Sequence, residues 1–168
     1  MQRILELDAR LSARLRLAER PGILRTLAVI LAHSGDSWFW LLGLGMVWWL
    51  GDEYWRWRAQ VMFVSILILA GLVLAIKFSV RRRRPEGEWG AIYRSTDPHS
   101  FPSGHAARAF MLAVLAAGMG PTWLGAAMLV WAPLVTLARA AMGVHYLSDV
   151  LAGAALGIGV GWIVWQYI

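Results

Sequence analysis

The stretch AQVMFVSILILAGLVLAI, residues 59–76, runs without a charge straight into KFSVRRRRP, residues 77–85. It is the clearest membrane-spanning helix in the chain, an apolar run ended by cations that stay with lipid headgroups. The rest of the sequence follows the same composition. Of its 168 residues, 59% are hydrophobic and only 15% charged, and mean hydropathy is +0.56. A typical soluble domain carries about 25% charged residues, so the apolar excess needs lipid. Eleven Trp suit helix ends at membrane interfaces. The length is that of one domain, 1–168, without repeats or low-complexity segments.

Toward the N-terminus, Gly51-Asp52-Glu53 with Arg56 and Arg58 forms a polar turn. Residues 38–50 are uncharged but cover only roughly 20 Å of a ~30 Å hydrocarbon core, so the crossing needs flanking residues. His33-Ser34-Gly35-Asp36-Ser37 separates them from the apolar residues 23–31, and Asp36 or Ser37 is a candidate cap for the helix that follows. Residues 1–18 read as an amphipathic helix. Ile4, Leu7, Leu11 and Leu15 fall at helical spacing, with Arg3, Arg10 and Arg14 elsewhere around the wheel. This predicts an interfacial helix over 1–20, broken by Pro21-Gly22. Charges throughout and the lack of an apolar h-region argue against a signal peptide.

Toward the C-terminus a polar loop spans 86–101, and Pro102-Ser103-Gly104 opens a helix to about Gly118. After the Gly120-Pro121 turn, residues 122–142 form an apolar helix with a kink expected at Pro133; Gly143-Val144 breaks it, and 146–167 is the last helix. Gly153, Gly157 and Gly161 make a smooth stripe for close packing, and the same four-residue register runs back through Asp149 and His145. The expected fold is therefore an all-α, polytopic transmembrane helical bundle, with about five spanning helices plus the N-terminal amphipathic surface helix.

Three polar clusters sit at helix ends. They are Lys77 with Arg84-Pro85, Pro102-Ser103-Gly104-His105, and Arg139 with His145 and Asp149. Counting crossings brings all three to one membrane face. Lys77, Arg84 and Arg139 supply cations, two of them planar forks suited to phosphate oxygens. Backbone N–H groups at Ser103 and Gly104 add an anion cradle where a helix begins. Two histidines can divide nucleophilic and proton-transfer work, and Asp149 can hold one tautomer of His145. Arg81, Arg82 and Arg83 read as headgroup anchors. With no Cys, and with only Asp97 and His99 added on that face, no dedicated metal site is expected. The formal charge of +6 is nearly all arginine set between apolar helices, so nucleic acid is not an expected partner.

The three clusters resemble the signature motifs of the type-2 phosphatidic acid phosphatase family, which shares its site with vanadium haloperoxidases; the match covers residues 77 to 149. The resemblance implies a membrane-embedded, cofactor-free phosphatase acting on a lipid phosphate: phosphatidic acid, phosphatidylglycerol phosphate or a polyprenyl diphosphate. His145 would be the nucleophile that forms a phosphohistidine, oriented by Asp149. His105 would be the general acid and later the base. Lys77, Arg84, Ser103, Gly104 and Arg139 would hold the phosphate, without metal. Ala138 stands where the family often has Ser, and many relatives carry a further spanning helix at the start. The competing readings are a vanadate-dependent peroxidase and an inactive lipid-binding membrane protein. The resemblance implies a bacterial inner-membrane protein with an outward-facing site. The charge distribution argues for a cytoplasmic one: once the clamp residues and Arg108 are set aside, ten positive residues on the site's side face two, Arg56 and Arg58, on the other.

Overall fold

The structure, a computed structural model, describes residues 2–168; the side chains of Gln2 and Ile4 lie outside the described set, and with them the stripe position assigned to Ile4. Eight helices follow in order: α1 (Gln2–Leu15), α2 (Ile23–Ser34), α3 (Ser37–Leu50), α4 (Glu53–Val80), α5 (Glu88–Arg94), α6 (Gly104–Met119), α7 (Thr122–Ala141) and α8 (Leu147–Gln166). No strand forms among the described residues, and the all-helical bundle expected from hydropathy is what the chain adopts.

Length and apolarity qualify α4, α7 and α8 as membrane spans. α2 and α3 add a fourth when taken as one span bent by 53°. The fifth expected span is α6, whose 16 residues reach only ~24 Å. It is short because it is the centre of the bundle: ten of its residues are buried, and α7 and α8 enclose it. A helix sheathed by protein need not reach lipid at both ends.

The glycine stripe explains the tightest contact. A Cβ on Gly153 or Gly157 would collide with the carbonyl oxygens of Ser103 and Ala107, so α8 lies directly on the α6 backbone. That contact sets the start of α6 against the start of α8. At the other end of the bundle, Arg58 Nε donates to Met119 O at 2.5 Å, and Tyr54, Trp57 and Trp165 lie around the same helix ends. Pro133 lies within α7, which continues through it as one helix.

Helix α4 is capped by the Asp52 carboxylate, which accepts from Trp55 N at 3.1 Å. It ends at Arg81 in the left-handed region (φ 51°), whose N–H still bonds Lys77 O. This turn sends the following arginines back under the bundle. Helix α1 docks beside them with its polar side inward. Ser148 N donates to Asp8 Oδ1 (3.0 Å) and Leu147 N to Ser12 Oγ (2.8 Å), so α1 caps the N-terminus of α8. Leu5, Leu7 and Leu11 are left exposed on its outer side. The helix is the amphipathic surface helix expected, docked on the bundle by its polar side.

Candidate active site

Four helix ends meet at one end of the bundle: the C-termini of α4 and α7 and the N-termini of α6 and α8. Ser103 N donates to Asp149 O at 3.0 Å, which ties two of them directly. All eight residues singled out from the sequence converge here, and all but Gly104 and His105 are fully buried by residue.

His145 lies just before α8 and is 2% exposed. Its Nδ1 is 2.8 Å from the carbonyl oxygen of Ser100. A carbonyl only accepts, so Nδ1 carries the proton and Nε2 keeps its lone pair. Nε2 faces Arg84 Nη1 at 3.3 Å. Burial pushes the imidazole down to about 3, and Arg139 and Arg84 act in the same sense against the pull of Asp149. The ring is therefore neutral at neutral pH. Asp149 stands 3.7 Å from Nδ1, beyond hydrogen-bond range, so it contributes charge while Ser100 holds the ring. Its oxygens bond elsewhere: Oδ2 accepts from Tyr146 N (2.9 Å) and Oδ1 from Arg82 Nη1 (2.7 Å).

The three cations lie at the same end of the bundle as this imidazole. Lys77, from the last turn of α4, pairs with the Asp97 carboxylate. Arg84 donates to Asp97 O (2.6 Å), Asp97 Oδ2 (2.7 Å) and Val144 O (2.9 Å). Burial works to raise the Asp97 carboxyl, but the Lys77 hydrogen bond and the charges of Lys77 and Arg84 outweigh it and hold the group below its usual range. Asp97 thus sits where two cations await an anion. Arg139, in the last turn of α7, donates to Tyr93 Oη at 3.0 Å and stacks on that ring. Its buried Nε has no protein partner among the described residues. An orphaned buried guanidinium N–H asks for an acceptor that a bound oxyanion would supply.

Ser103 is the N-cap of α6, with Oγ accepting from Ala106 N at 3.5 Å. Its own N–H is spent on Asp149 O, so of the expected backbone cradle only Gly104 N–H and the serine hydroxyl remain available. A Cβ on Gly104 would meet Val73 at an ordinary 3.5 Å, so protein packing does not demand glycine there. His105 follows on the first turn, with Nε2 2.6 Å from Asp36 Oδ1. Ala138 packs with Ala18, Ala28 and Met142 in an apolar cluster, which accounts for a small residue at that position.

Arg82 departs from its expected role. It is half-buried, bonds Asp149 Oδ1, Asp8 Oδ2 (2.6 Å) and Ser148 Oγ (2.6 Å), and stacks on Tyr146. It is a strut joining α1 to the start of α8, whereas Arg81 and Arg83 remain exposed. Three further contributors carried no sequence signal as site residues: Asp36, Tyr93 from the short α5, and the Ser100 carbonyl.

The convergent side chains open into a cavity of about 620 Å³. Lys77, Asp97, His105 and His145 form its polar end; Ile66, Leu69 and Val73 of α4, with Trp38 of α3, form its apolar wall. A site with this division accepts an anionic head joined to an apolar tail.

Fold and site together define a membrane helix bundle with a neutral histidine facing three cations at one end. The PAP2 superfamily model matches residues 58–168, and the chain belongs to that superfamily. A decaprenylphosphoryl-5-phosphoribose phosphatase of Mycobacterium tuberculosis is 35% identical over 149 residues, covering 88% of this chain and 82% of the relative. A lipid A 1-phosphatase of Porphyromonas gingivalis is 37% identical over 101 residues, which are 58% of this chain but 21% of that longer protein. Among solved structures, a transmembrane PAP2 type phosphatidylglycerolphosphate phosphatase from Bacillus subtilis shares the fold: the TM-score is 0.79 at 22% identity, covering 99% of this chain and 87% of the other. LpxE from Aquifex aeolicus superposes with a TM-score of 0.72 at 25% identity, covering 92% and 94%.

Proposed function

We propose that this protein hydrolyses a lipid phosphate monoester or diphosphate through a phosphohistidine on His145. The observation that carries this reading is His145 itself. Its proton is fixed on Nδ1 by Ser100, its Nε2 faces Arg84 at 3.3 Å, the charge of Arg139 acts on the ring, and Lys77 lines the same cavity. Superfamily membership and the names of the relatives support a phosphate-ester hydrolase of lipid or polyprenyl substrates. The apolar α4 wall beside the cations supports a substrate whose tail stays in the bilayer.

In the first step, Nε2 of His145 attacks phosphorus, and the bond to the leaving oxygen breaks as that oxygen takes a proton from His105. The three cations, Gly104 N–H and the Ser103 hydroxyl stabilise the charge on the equatorial oxygens. In the second step His105 takes a proton from water, the new P–O bond forms, and the P–N bond breaks, returning its electron pair to His145. Asp97 yields its place on Lys77 and Arg84 as the phosphate arrives. The cations already provide the charge compensation that a metal would, and Asp36, Asp97 and Asp149 are each committed to imidazole or guanidinium partners.

The test is phosphate release from purified protein across phosphatidic acid, phosphatidylglycerol phosphate, polyprenyl diphosphate and a polyprenyl-linked sugar phosphate. Activity on at least one is expected to persist in EDTA and to fall with vanadate, which mimics pentacoordinate phosphorus. Loss in EDTA with recovery in Mg²⁺ would contradict the reading.

The site faces the cytoplasm in this proposal. Helix α1 lies at the site end, so its arginines count on that side, and positive flanks are retained inside. A periplasm-only reporter fused after Ile168 is then active. Signal from a cytoplasm-only reporter at that position would place the site outside.

A further inference from the structure

Asp36 occupies the N-cap position of α3, yet its carboxylate does not cap that helix. Asp at such a position ordinarily accepts from the first-turn N–H groups. Here both oxygens are spent on imidazoles: Oδ1 lies 2.6 Å from His105 Nε2 and Oδ2 lies 3.0 Å from His33 Nδ1. The cap forgone marks a residue placed for something other than the helix.

The surrounding backbone is built to deliver this carboxylate. α2 and α3 meet at 53°, and Asp36 sits at the break. Arg108, one turn after His105 on α6, is 7% exposed and reaches across to the residues on either side of Asp36. Its Nε donates to Gly35 O at 2.9 Å, its Nη2 to the same oxygen, and its Nη1 to Ser37 Oγ. Gly35 also lets the break pack against α7, since a Cβ there would lie 2.9 Å from Val135 Cγ1. The break is thus bolted to α6 without any help from the Asp36 side chain. A purely structural role for that carboxylate is already filled by Arg108.

We infer that Asp36 is a positioning residue for His105, forming with it a second Asp–His pair across the pocket from His145 and Asp149. With Nε2 held by Asp36, the Nδ1 of His105 is the nitrogen that serves the leaving oxygen. The carboxylate stabilises the imidazolium that donates there, as a buried acid does for a histidine base elsewhere. His33, exposed at the rim, shares the carboxylate through its second oxygen and so draws off part of its charge from His105. The other charged groups facing His105 are Arg108 on its own helix and Arg139 from α7, with Lys77, Asp97 and His145 across the cavity. Arg108 and Arg139 bring positive charge to this ring, and the Asp36 carboxylate is the group in direct contact that balances it. No group of three ligands arranged for a metal ion occurs among the described residues, and the direct imidazole–carboxylate contacts leave no space for one between them.

This inference rests on His105 being the general acid, and the experiment separates the two. The full-length protein, reconstituted in phosphatidylglycerol vesicles, is assayed with the best substrate of the panel as a function of pH. His105→Gln should abolish most turnover; wild-type turnover in that variant overturns the general-acid reading itself. Asp36→Asn should lower kcat about tenfold to a hundredfold with KM changed less than about threefold, and move the basic limb of the kcat profile to lower pH. Asp36→Glu should restore the limb and part of kcat. His33→Ala, a surface change that leaves the packing intact, should move the limb the opposite way, because Asp36 is then shared with one imidazole instead of two. Opposite displacements are not produced by a structural role. An active His105-dependent enzyme whose limb stays put in Asp36→Asn overturns the inference. So does an unmoved limb in His33→Ala, should Asp36→Asn not fold.

Discussion

A His145→Ala variant should release no phosphate above background, a fall on the order of 10⁴ or more in kcat. Nothing else in the cavity can replace it. His105 is turned to Asp36, and the proposed mechanism uses its remaining nitrogen for the proton; the other pocket histidine, His33, is exposed. The fold should survive. Removing the ring breaks its bond to Ser100 O and leaves a cavity, a cost of about 1–3 kcal/mol. The contact of α8 on α6 and the link from Ser103 N to Asp149 O do not depend on it. Phosphate release is the measurement, with circular dichroism as the check on folding. Near-wild-type release from a folded variant would remove the phosphohistidine from the mechanism.

Replacing Arg84 by alanine should cost about 10²–10³ in kcat/KM, and Arg84→Lys nearly as much. The guanidinium holds Asp97, Val144 O and the Nε2 side of His145 at once, a geometry that one ammonium cannot reproduce. Its loss leaves the Val144 carbonyl unpaired and the Asp97 carboxylate with Lys77 alone. Arg83→Ala is the control, since Arg83 is exposed and should change activity less than about twofold. Arg82→Ala should fall between them. It touches no reacting atom but holds Asp149 and the α1–α8 junction. Steady-state kinetics on the three variants decides the order, and equal losses at Arg83 and Arg84 would mean that the phosphate clamp lies elsewhere.

Much of this architecture was legible in the sequence because the relevant signals are local. A run such as residues 59–76 has few places to go but lipid, and Gly, Pro and charged residues mark where each helix stops. Each crossing reverses the side of the membrane. Three motifs at alternate helix ends must therefore share a face, and Lys77, Arg84, His105, Arg139 and His145 do converge. The glycine stripe of α8 was equally readable, since a smooth surface recurring every fourth residue needs a close neighbour.

Partner choice was not legible. Arg81 to Arg84 are four identical residues in one local context, yet two are exposed, one is a strut and one is buried against Asp97, Val144 and His145. The left-handed turn at Arg81 and the packing beyond it sort them. The N-cap of α8 is Tyr146, and Asp149 closes back only onto the Tyr146 N–H; the N–H groups of Leu147 and Ser148 are met by Ser12 and Asp8, more than a hundred residues earlier on α1. Asp36 reads as a helix cap and instead reaches His105, and the group that fixes the His145 tautomer is a backbone carbonyl, which any residue at position 100 would supply. The sequence by itself determined the helices, their ends and the shared face, because hydropathy and helix termination act over a few residues. Only the tertiary structure decided which donor met which acceptor, because a hydrogen bond is won or lost within about half an ångström, a distance set by how whole helices pack.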